Sequence, residues 1–326
     1  MPQGDRLAGL SERLASAGIT EVRPLAGGAS GLTYRGVLGT VPVVVKVAPA
    51  GVEPIAHRDV LRQARILKAL QRSDVPVPDV LLEDSGAPPE VPPLFVMSLC
   101  AGDAVEPLFD VDAELPTHAC IGARFLNAAV AMARLHRLSP ATLGVHGEAV
   151  SGPADEIERW SRTLHTVDPG LVPDWQEVRA MLASAVPPPN GPAVVHGDFR
   201  LGNLLADGEH ITAVIDWEIW SVGDPRIDVG WFLVNADPHT YQRVSACAGA
   251  VPPAGELIAA YCAELGTEPT DLRWFEALAC FKSAATWSLI VKHNRRRPTP
   301  DPQWEAMVPT LPRLLQRAGE LVRSAG

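Results

Sequence analysis

The 326-residue sequence has no uncharged apolar run of about 18 residues, the length that a membrane-spanning helix requires. Its opening residues, MPQGDRLAGL, lack the apolar centre of a secretory signal, so a cytoplasmic location is expected. Cysteine is scarce. Five residues (Cys100, Cys120, Cys247, Cys262 and Cys280), widely spaced and without a C-x-x-C pair, make neither a disulfide framework nor a thiolate zinc site. The nine histidines form no H-x-x-x-H or H-x-x-E-H set, which removes the common imidazole metal sites as well. Positive charge is also in deficit: 28 Lys and Arg against 38 Asp and Glu leave a net charge of −10. Such a chain lacks the basic face that nucleic-acid phosphates demand. The first hundred residues are charge-balanced, so the acidic excess lies in the remainder. There it either favours a cationic or neutral partner or is solvated surface.

What is present describes an ordinary globular chain. Apolar residues make up 47% and charged residues 20%, enough for a sizeable core, and the length corresponds to about two domains. Leu7, Leu10 and Leu14 recur at helical spacing, with Asp5 placed to cap the start and Gly18 to stop the end. EVRPL, LTYRGVL, VPVVVKVA, PDVLLED and PPLFVMSL read as strands, with one helix over 54–71 among them. From about residue 103 the pattern changes. The alanine-rich stretch 119–138 is apolar nearly all round, as a buried central helix should be. Helical periodicity returns near 153–166, 174–185, 226–235, 254–265, 270–292 and 303–323, and only PAVVHGD, NLLAD and HITAVIDWE read as strands. These patterns predict an α+β chain: a small-sheet N-lobe over 1–101 with antiparallel strands, and a mainly helical C-lobe over 102–326.

Between residues 194 and 218, VVHGDFRLGNLLADGEHITAVIDWE sets Asp198, Asn203 and Asp216 where apolar strands end. Phosphoryl transfer asks little covalent chemistry of a protein. It needs a carboxylate to orient the attacking hydroxyl and oxygen ligands for a Mg²⁺ that bridges nucleotide phosphates. Mg²⁺ takes hard oxygens and keeps several waters, so one carboxylate and one amide oxygen suffice. Upstream, LAGGASGLTYR contains Gly27, Gly28, Ser30 and Gly31; it either cradles phosphates with its N–H groups or simply turns a hairpin. Lys46 follows one strand later and is either an edge lysine reaching water or a phosphate-pairing lysine.

H-G-D-x-x-x-x-N, then an apolar strand and I-D-W-E, resembles the catalytic and metal motifs of the aminoglycoside phosphotransferase and choline kinase family. HGDFRLGNLL with VIDWE and GDPRIDVGW resembles in particular the branch whose kinase domains are fused to acyl-CoA dehydrogenases. The resemblance implies a two-lobed protein-kinase-like fold, ATP (or GTP) and Mg²⁺ as cofactors, and phosphorylation of a hydroxyl on a small molecule. It implies Asp198 as the catalytic base in contact with substrate, Asn203 and Asp216 as Mg²⁺ ligands, and His196 as a structural member of the loop. By the same resemblance Asp228 steadies that loop, Trp217 and Glu218 border the substrate, and Lys46 pairs phosphates. The remaining tryptophans are assigned to the core. LFVMSLCAG matches the family's lobe-connecting hinge, where adenine would meet backbone groups near Ser98 and Leu99 with Met97 against the ring.

One departure stands out. The helix after the lysine usually reads R-E in this family; here it reads Arg62-Gln63. Either Gln63 holds Lys46 as a neutral acceptor, or Asp59 supplies charge from one turn earlier. The implied acceptor is an antibiotic such as an aminoglycoside, with antibiotic resistance as the outcome, or a hydroxylated metabolite such as a hydroxyacyl-CoA. The alternative that Gln63 raises is a nucleotide-binding, pseudokinase-like protein with little turnover. A protein kinase is disfavoured, because no A-P-E signature follows Asp216. The NRRR run at 294–297 either complements a helix C-terminus or contacts an anionic substrate. The expected partner is a small molecule, with no nucleic acid and no membrane, and the chain is expected to be a monomer or homodimer.

Overall fold

A computed structural model of the chain describes residues 3–25, 32–107, 115–241 and 245–325. Gly27, Gly28, Ser30 and Gly31 lie outside the described residues. Two compact units divide the chain: Met1–Gly102 with Thr212–Ile219, and Asp103–Ile211 with Trp220–Gly326.

The first unit contains helix α1 (Gln3–Ser16), strands β1 (Ile19–Pro24), β2 (Leu32–Leu38) and β3 (Val41–Val47), helix α2 (Val60–Leu70), and strands β4 (Val80–Asp84) and β5 (Leu94–Ser98). The five strands form one antiparallel sheet in the order β1-β2-β3-β5-β4. β3 takes the centre because its β-branched run suits a strand covered on both faces. Val43, Val45 and Val47 join Leu14, Ile19, Tyr34, Leu94 and Val96 in one buried cluster. Strand alternation therefore turns Lys46 to the opposite face. Two details depart from the sequence pattern. Asp5 lies inside α1 rather than capping it, since the helix starts at Gln3. The helix read over 54–71 begins at Val60, because the Asp59 carboxylate accepts from the Arg62 N–H at 3.1 Å and so caps α2. Ala56–Arg58 is a separate 3₁₀ turn.

The second unit is mainly helical: α3 (His118–Arg137), strand β6 (Val150–Ser151), α4 (Pro153–Leu164), α5 (Trp175–Ser184), strands β7 (Ala193–Val195), β8 (Leu204–Asp207), β9 (His210–Val214) and β10 (Ser221–Gly223), then α6 (Arg226–Ala236), α7 (Ala254–Leu265), α8 (Leu272–Asn294), the short α9 (Pro302–Glu305) and α10 (Thr310–Ala325). Its core gathers Trp160, Trp175, Trp274, Phe275, Phe281, Leu311 and Leu314 around α8, which is buried along much of its length. The pattern over 303–323 is two helices, not one. β10 escaped the sequence pattern: its three residues are too few to show a period, yet it pairs antiparallel with β7 and parallel with β6. β8 and β9 form a two-stranded ribbon, and the division between units falls within β9. A single boundary near residue 101 would assign 212–219 to the helical lobe. Instead Val214 N–H donates to the Pro76 carbonyl at 2.8 Å and Thr212 Oγ1 to that of Ala101 at 2.5 Å, tying this segment to the first unit. Among the described residues no helix is long and apolar enough to cross a membrane.

Helices α6 and α8 meet closely at Gly230. A Cβ there would lie 2.5 Å from the Phe275 carbonyl oxygen, and backbone cannot swing aside as a side-chain tip does. Gly230→Ala is expected to lower unfolding free energy by about 1–3 kcal/mol, the usual cost of overpacking. Urea denaturation measures it; an unchanged midpoint at equal m-value would show that the two helices separate without penalty.

Candidate active site

In the first unit, Lys46 is surrounded by acceptors. Its Nζ donates to Gln63 Oε1 at 3.2 Å and to Asp216 Oδ1 at 2.9 Å, with Glu218 Oε1 at 3.7 Å. The helix thus contributes a neutral acceptor, and both charges come from the D-W-E segment. Asp59 is committed to capping α2, which leaves Gln63 as the α2 side chain that bonds Lys46. Asp216 adopts φ +65°, a left-handed conformation that aspartate tolerates better than branched residues do. Trp217 corrects an expectation. It is 1% exposed, and its indole N–H donates to the Val214 carbonyl at 2.9 Å, so it packs the unit rather than bordering a substrate. Glu218 faces Lys46.

The hinge segment bears on another. Met97 is buried, as expected of a residue against a ring. However, the Ser98 N–H donates to the Asp79 carbonyl at 2.8 Å and the Leu99 N–H to that of Pro42 at 3.1 Å. Those two N–H groups are already engaged by backbone carbonyls.

The second unit builds the H-G-D loop at the end of β7. His196 and Gly197 are held by one carboxylate: Asp228, fully buried in α6, accepts the His196 N–H at 2.6 Å and the Gly197 N–H at 2.8 Å. His136 Nε2 lies 3.3 Å from the same carboxylate, and its Nδ1 lies 2.8 Å from the Tyr261 hydroxyl. Burial alone would raise the Asp228 carboxyl. The bonds from His136 and the His196 N–H, with the nearby imidazoles, hold it below the ordinary carboxylate value instead. The His196 ring in turn accepts the Asp198 N–H at 3.1 Å within the loop.

Asp198 is held from both sides. Its Oδ1 accepts the Trp231 indole N–H at 2.8 Å and lies 3.3 Å from Arg200 Nε; its Oδ2 accepts Asn203 Nδ2 at 2.8 Å. Asn203 Nδ2 also reaches the Asp198 carbonyl at 2.9 Å, so the amide Oδ1 is directed away from Asp198. Asn203 ends a single 3₁₀ turn, Leu201–Asn203. Glu106 fixes the other side of this turn: its Oε2 accepts Arg200 Nη1 at 2.9 Å and the Gly202 N–H at 3.2 Å. Burial disfavours the Arg200 charge, but Asp198 and Glu106 more than offset it and raise its pKa. Asn203 and Asp216, each within its own unit, offer a hard amide oxygen and a carboxylate, the donor chemistry that Mg²⁺ accepts. The sequence reading missed Glu106, Arg200 and Trp231. Arg200 was visible in HGDFRLGN and Trp231 in GDPRIDVGW, whereas Glu106 carries no local signal. In the NRRR run Arg295 pairs with Glu305, which satisfies that cation on the surface.

A model of the phosphotransferase enzyme family matches residues 21–275. Mouse acyl-CoA dehydrogenase family member 10 is 27% identical over 296 residues, covering 86% of this chain and 27% of the relative. The chain thus spans only about a quarter to a third of the length of such relatives. A Ralstonia eutropha JMP134 protein described provisionally as an aminoglycoside phosphotransferase superposes with a TM-score of 0.77 at 19% identity, covering 98% of each chain. A thermostable variant of aminoglycoside phosphotransferase APH(4)-Ia, in ternary complex with AMP-PNP and hygromycin B, superposes at 0.64 with 17% identity over 97% of this chain and 98% of that one. These structures share the α+β fold with its antiparallel-sheet N-terminal region and helical C-terminal region. With the family model covering most of its length, the chain belongs to the phosphotransferase enzyme family.

Proposed function

We propose that the chain is an ATP- and Mg²⁺-dependent kinase that phosphorylates a hydroxyl group of a small molecule. The observation that carries this reading is the Asp198 carboxylate, fixed between the Trp231 indole and the Asn203 amide in an H-G-D-x-x-x-x-N loop. The Asp198 Oδ2 has a second lone pair beyond the bond it accepts from Asn203, so Asp198 retains capacity to take an acceptor hydroxyl proton. Bound Mg²⁺·ATP supplies the transferable phosphoryl group and the positive charge that stabilises its transfer. Asn203 and Asp216 are the residues that would offer oxygen ligands to that metal. Lys46, kept in place by Gln63 and Glu218, binds phosphate oxygens. Support for the nucleotide also comes from APH(4)-Ia, whose complex contains AMP-PNP.

For the acceptor, the higher identity to an acyl-CoA dehydrogenase family member, 27% against 17% for the hygromycin B-bound structure, favours a hydroxyacyl-type metabolite over an antibiotic. Gln63 favours a second reading, a nucleotide-binding protein with little turnover. Against it, Lys46 is held despite the missing glutamate.

ATP and GTP consumption with Mg²⁺, assayed against hydroxyacyl-CoAs, hygromycin B and other aminoglycosides, identifies the acceptor. Asp198→Asn keeps size and hydrogen bonding but cannot accept the proton, so turnover is expected to fall by about 10²–10⁴-fold while nucleotide affinity holds. Near-normal turnover would remove Asp198 from the reaction.

The neutral partner of Lys46 gives a separate expectation. Gln63→Ala should cost about tenfold in rate, equivalent to roughly 1.4 kcal/mol. Gln63→Glu should preserve or raise activity, because charge-assisted hydrogen bonds are roughly twice as strong as neutral ones. Asp59→Ala should lower stability by about 1 kcal/mol through loss of the cap and leave kcat alone. Steady-state kinetics and thermal melts of the three variants distinguish these effects; an active Gln63→Ala with an inactive Asp59→Ala would reverse the assignment.

A further inference from the structure

Lys282 sits in the middle of α8 at 4% exposure, which is an unusual place for an ammonium group. Water is replaced there by three kinds of group. The Nζ donates to the Gly197 carbonyl, inside the H-G-D loop. It lies 3.8 Å from the centroid of the Trp231 ring and 5.4 Å from that of Trp160. Trp160 is anchored by its own indole N–H on Glu156 at 2.7 Å. Burial pushes the Lys282 pKa down, while the carboxylates of Asp198, Glu156 and Asp228 oppose that shift and Arg159 adds to it. A buried lysine with no task is costly, and a leucine or methionine would pack the same space without desolvation.

The geometry links this cation to Asp198 by two short routes. Trp231 presents its ring face to Lys282 and its N–H to Asp198 Oδ1 at 2.8 Å. A cation over the π-face draws electron density from the indole, which makes the N–H a stronger donor at the opposite edge. The second route is through the backbone: the Gly197 carbonyl that Lys282 holds belongs to the peptide group whose N–H is that of Asp198 itself. We propose that Lys282 and Trp231 are a positioning pair for the Asp198 carboxylate, the ammonium clamping the H-G-D peptide and polarising the indole that fixes the carboxylate rotamer. The inference rests on the reading of Asp198 as the base. Both act through Asp198.

The test uses the full chain with tryptophan labelled for indole ¹⁵N–¹H spectra, Mg²⁺·ATP hydrolysis with water as acceptor, and AMP-PNP binding. Wild type is compared with Lys282→Met, Lys282→Arg, Trp231→Phe and Asp198→Asn. The indole resonance that disappears in Trp231→Phe belongs to Trp231. It is expected to move in Asp198→Asn and in Lys282→Met, and to return towards its wild-type position in Lys282→Arg. Hydrolysis kcat is expected to fall about tenfold in Lys282→Met and in Trp231→Phe, with KM for ATP changed by less than about twofold and Lys282→Arg recovering most of the loss. A purely structural lysine would lower the melting temperature and leave both the Trp231 resonance and the kcat of folded protein in place. Trp231→Phe keeps an aromatic face and removes the indole N–H, so it decides the matter if Lys282→Met fails to fold. The spectra decide it where hydrolysis is too slow to follow. A Trp231 resonance and a kcat unaffected by Lys282→Met, or a wild-type kcat in Trp231→Phe, with Asp198→Asn inactive, overturn the pair and leave the base standing. Wild-type hydrolysis in Asp198→Asn overturns the base itself.

Discussion

The buried carboxylate of Asp228 is the contact on which the catalytic loop depends. At His196 and Gly197 the chain leaves β7 and turns, so two consecutive N–H groups lose their sheet partners inside an apolar unit. Unsatisfied, each would cost about 1–3 kcal/mol. One carboxylate answers both, and His136, backed by Tyr261, keeps it ionised and oriented from beneath. Everything above this point inherits its position. The His196 ring meets the Asp198 N–H, and Asn203 and Trp231 meet the Asp198 carboxylate from either side. The loop is therefore built from the helix upward, with α6 supplying both Asp228 at its foundation and Trp231 at its top.

Around Lys46 the electrostatic arrangement is different in kind. One positive charge is faced by two carboxylates and one neutral amide, leaving the cluster with a net negative charge. Had position 63 carried glutamate, its bond to the ammonium would be charge-assisted and the cluster would gain one further negative charge. The amide keeps the directional bond and omits the charge. It also leaves both charged partners on a single short segment, Asp216 and Glu218, so that the electrostatics near Lys46 answer to the conformation of two neighbouring residues.

What was legible in the sequence follows from how local each signal is. The H-G-D-x-x-x-x-N and I-D-W-E motifs were readable because their functional residues lie within a few positions of one another on strand ends. The order of elements was readable because β-branched runs and alanine-rich helices differ in period. For Trp217 the resemblance implied a place bordering the substrate, while its bond to Val214 depends on the return of the backbone. Glu106 and Lys282 lie about 90 residues before and 85 residues after the loop they support. No spacing rule connects such distant positions. Nor does a helical period single out a lysine that replaces water with indole faces and a carbonyl. The engagement of the Ser98 and Leu99 N–H groups by Asp79 and Pro42 is likewise a matter of strand register, which sequence does not display.

The grouping of Thr212–Ile219 with the first unit has a consequence for biogenesis. The sheet of that unit is complete in sequence by residue 102, but the peptide that bonds Pro76 and the carboxylates that face Lys46 emerge from the ribosome about 110 residues later. At roughly 5–20 residues per second, that gap lasts on the order of five to twenty seconds. During it the nascent N-terminal sheet stands with Lys46 and Gln63 lacking their acidic neighbours, while the polypeptide of the helical unit is only half made. Neither unit is continuous in sequence, so neither is made in one uninterrupted stretch of synthesis. The first unit can mature only after residue 219 has cleared the exit tunnel, and the second still awaits Trp220–Gly326.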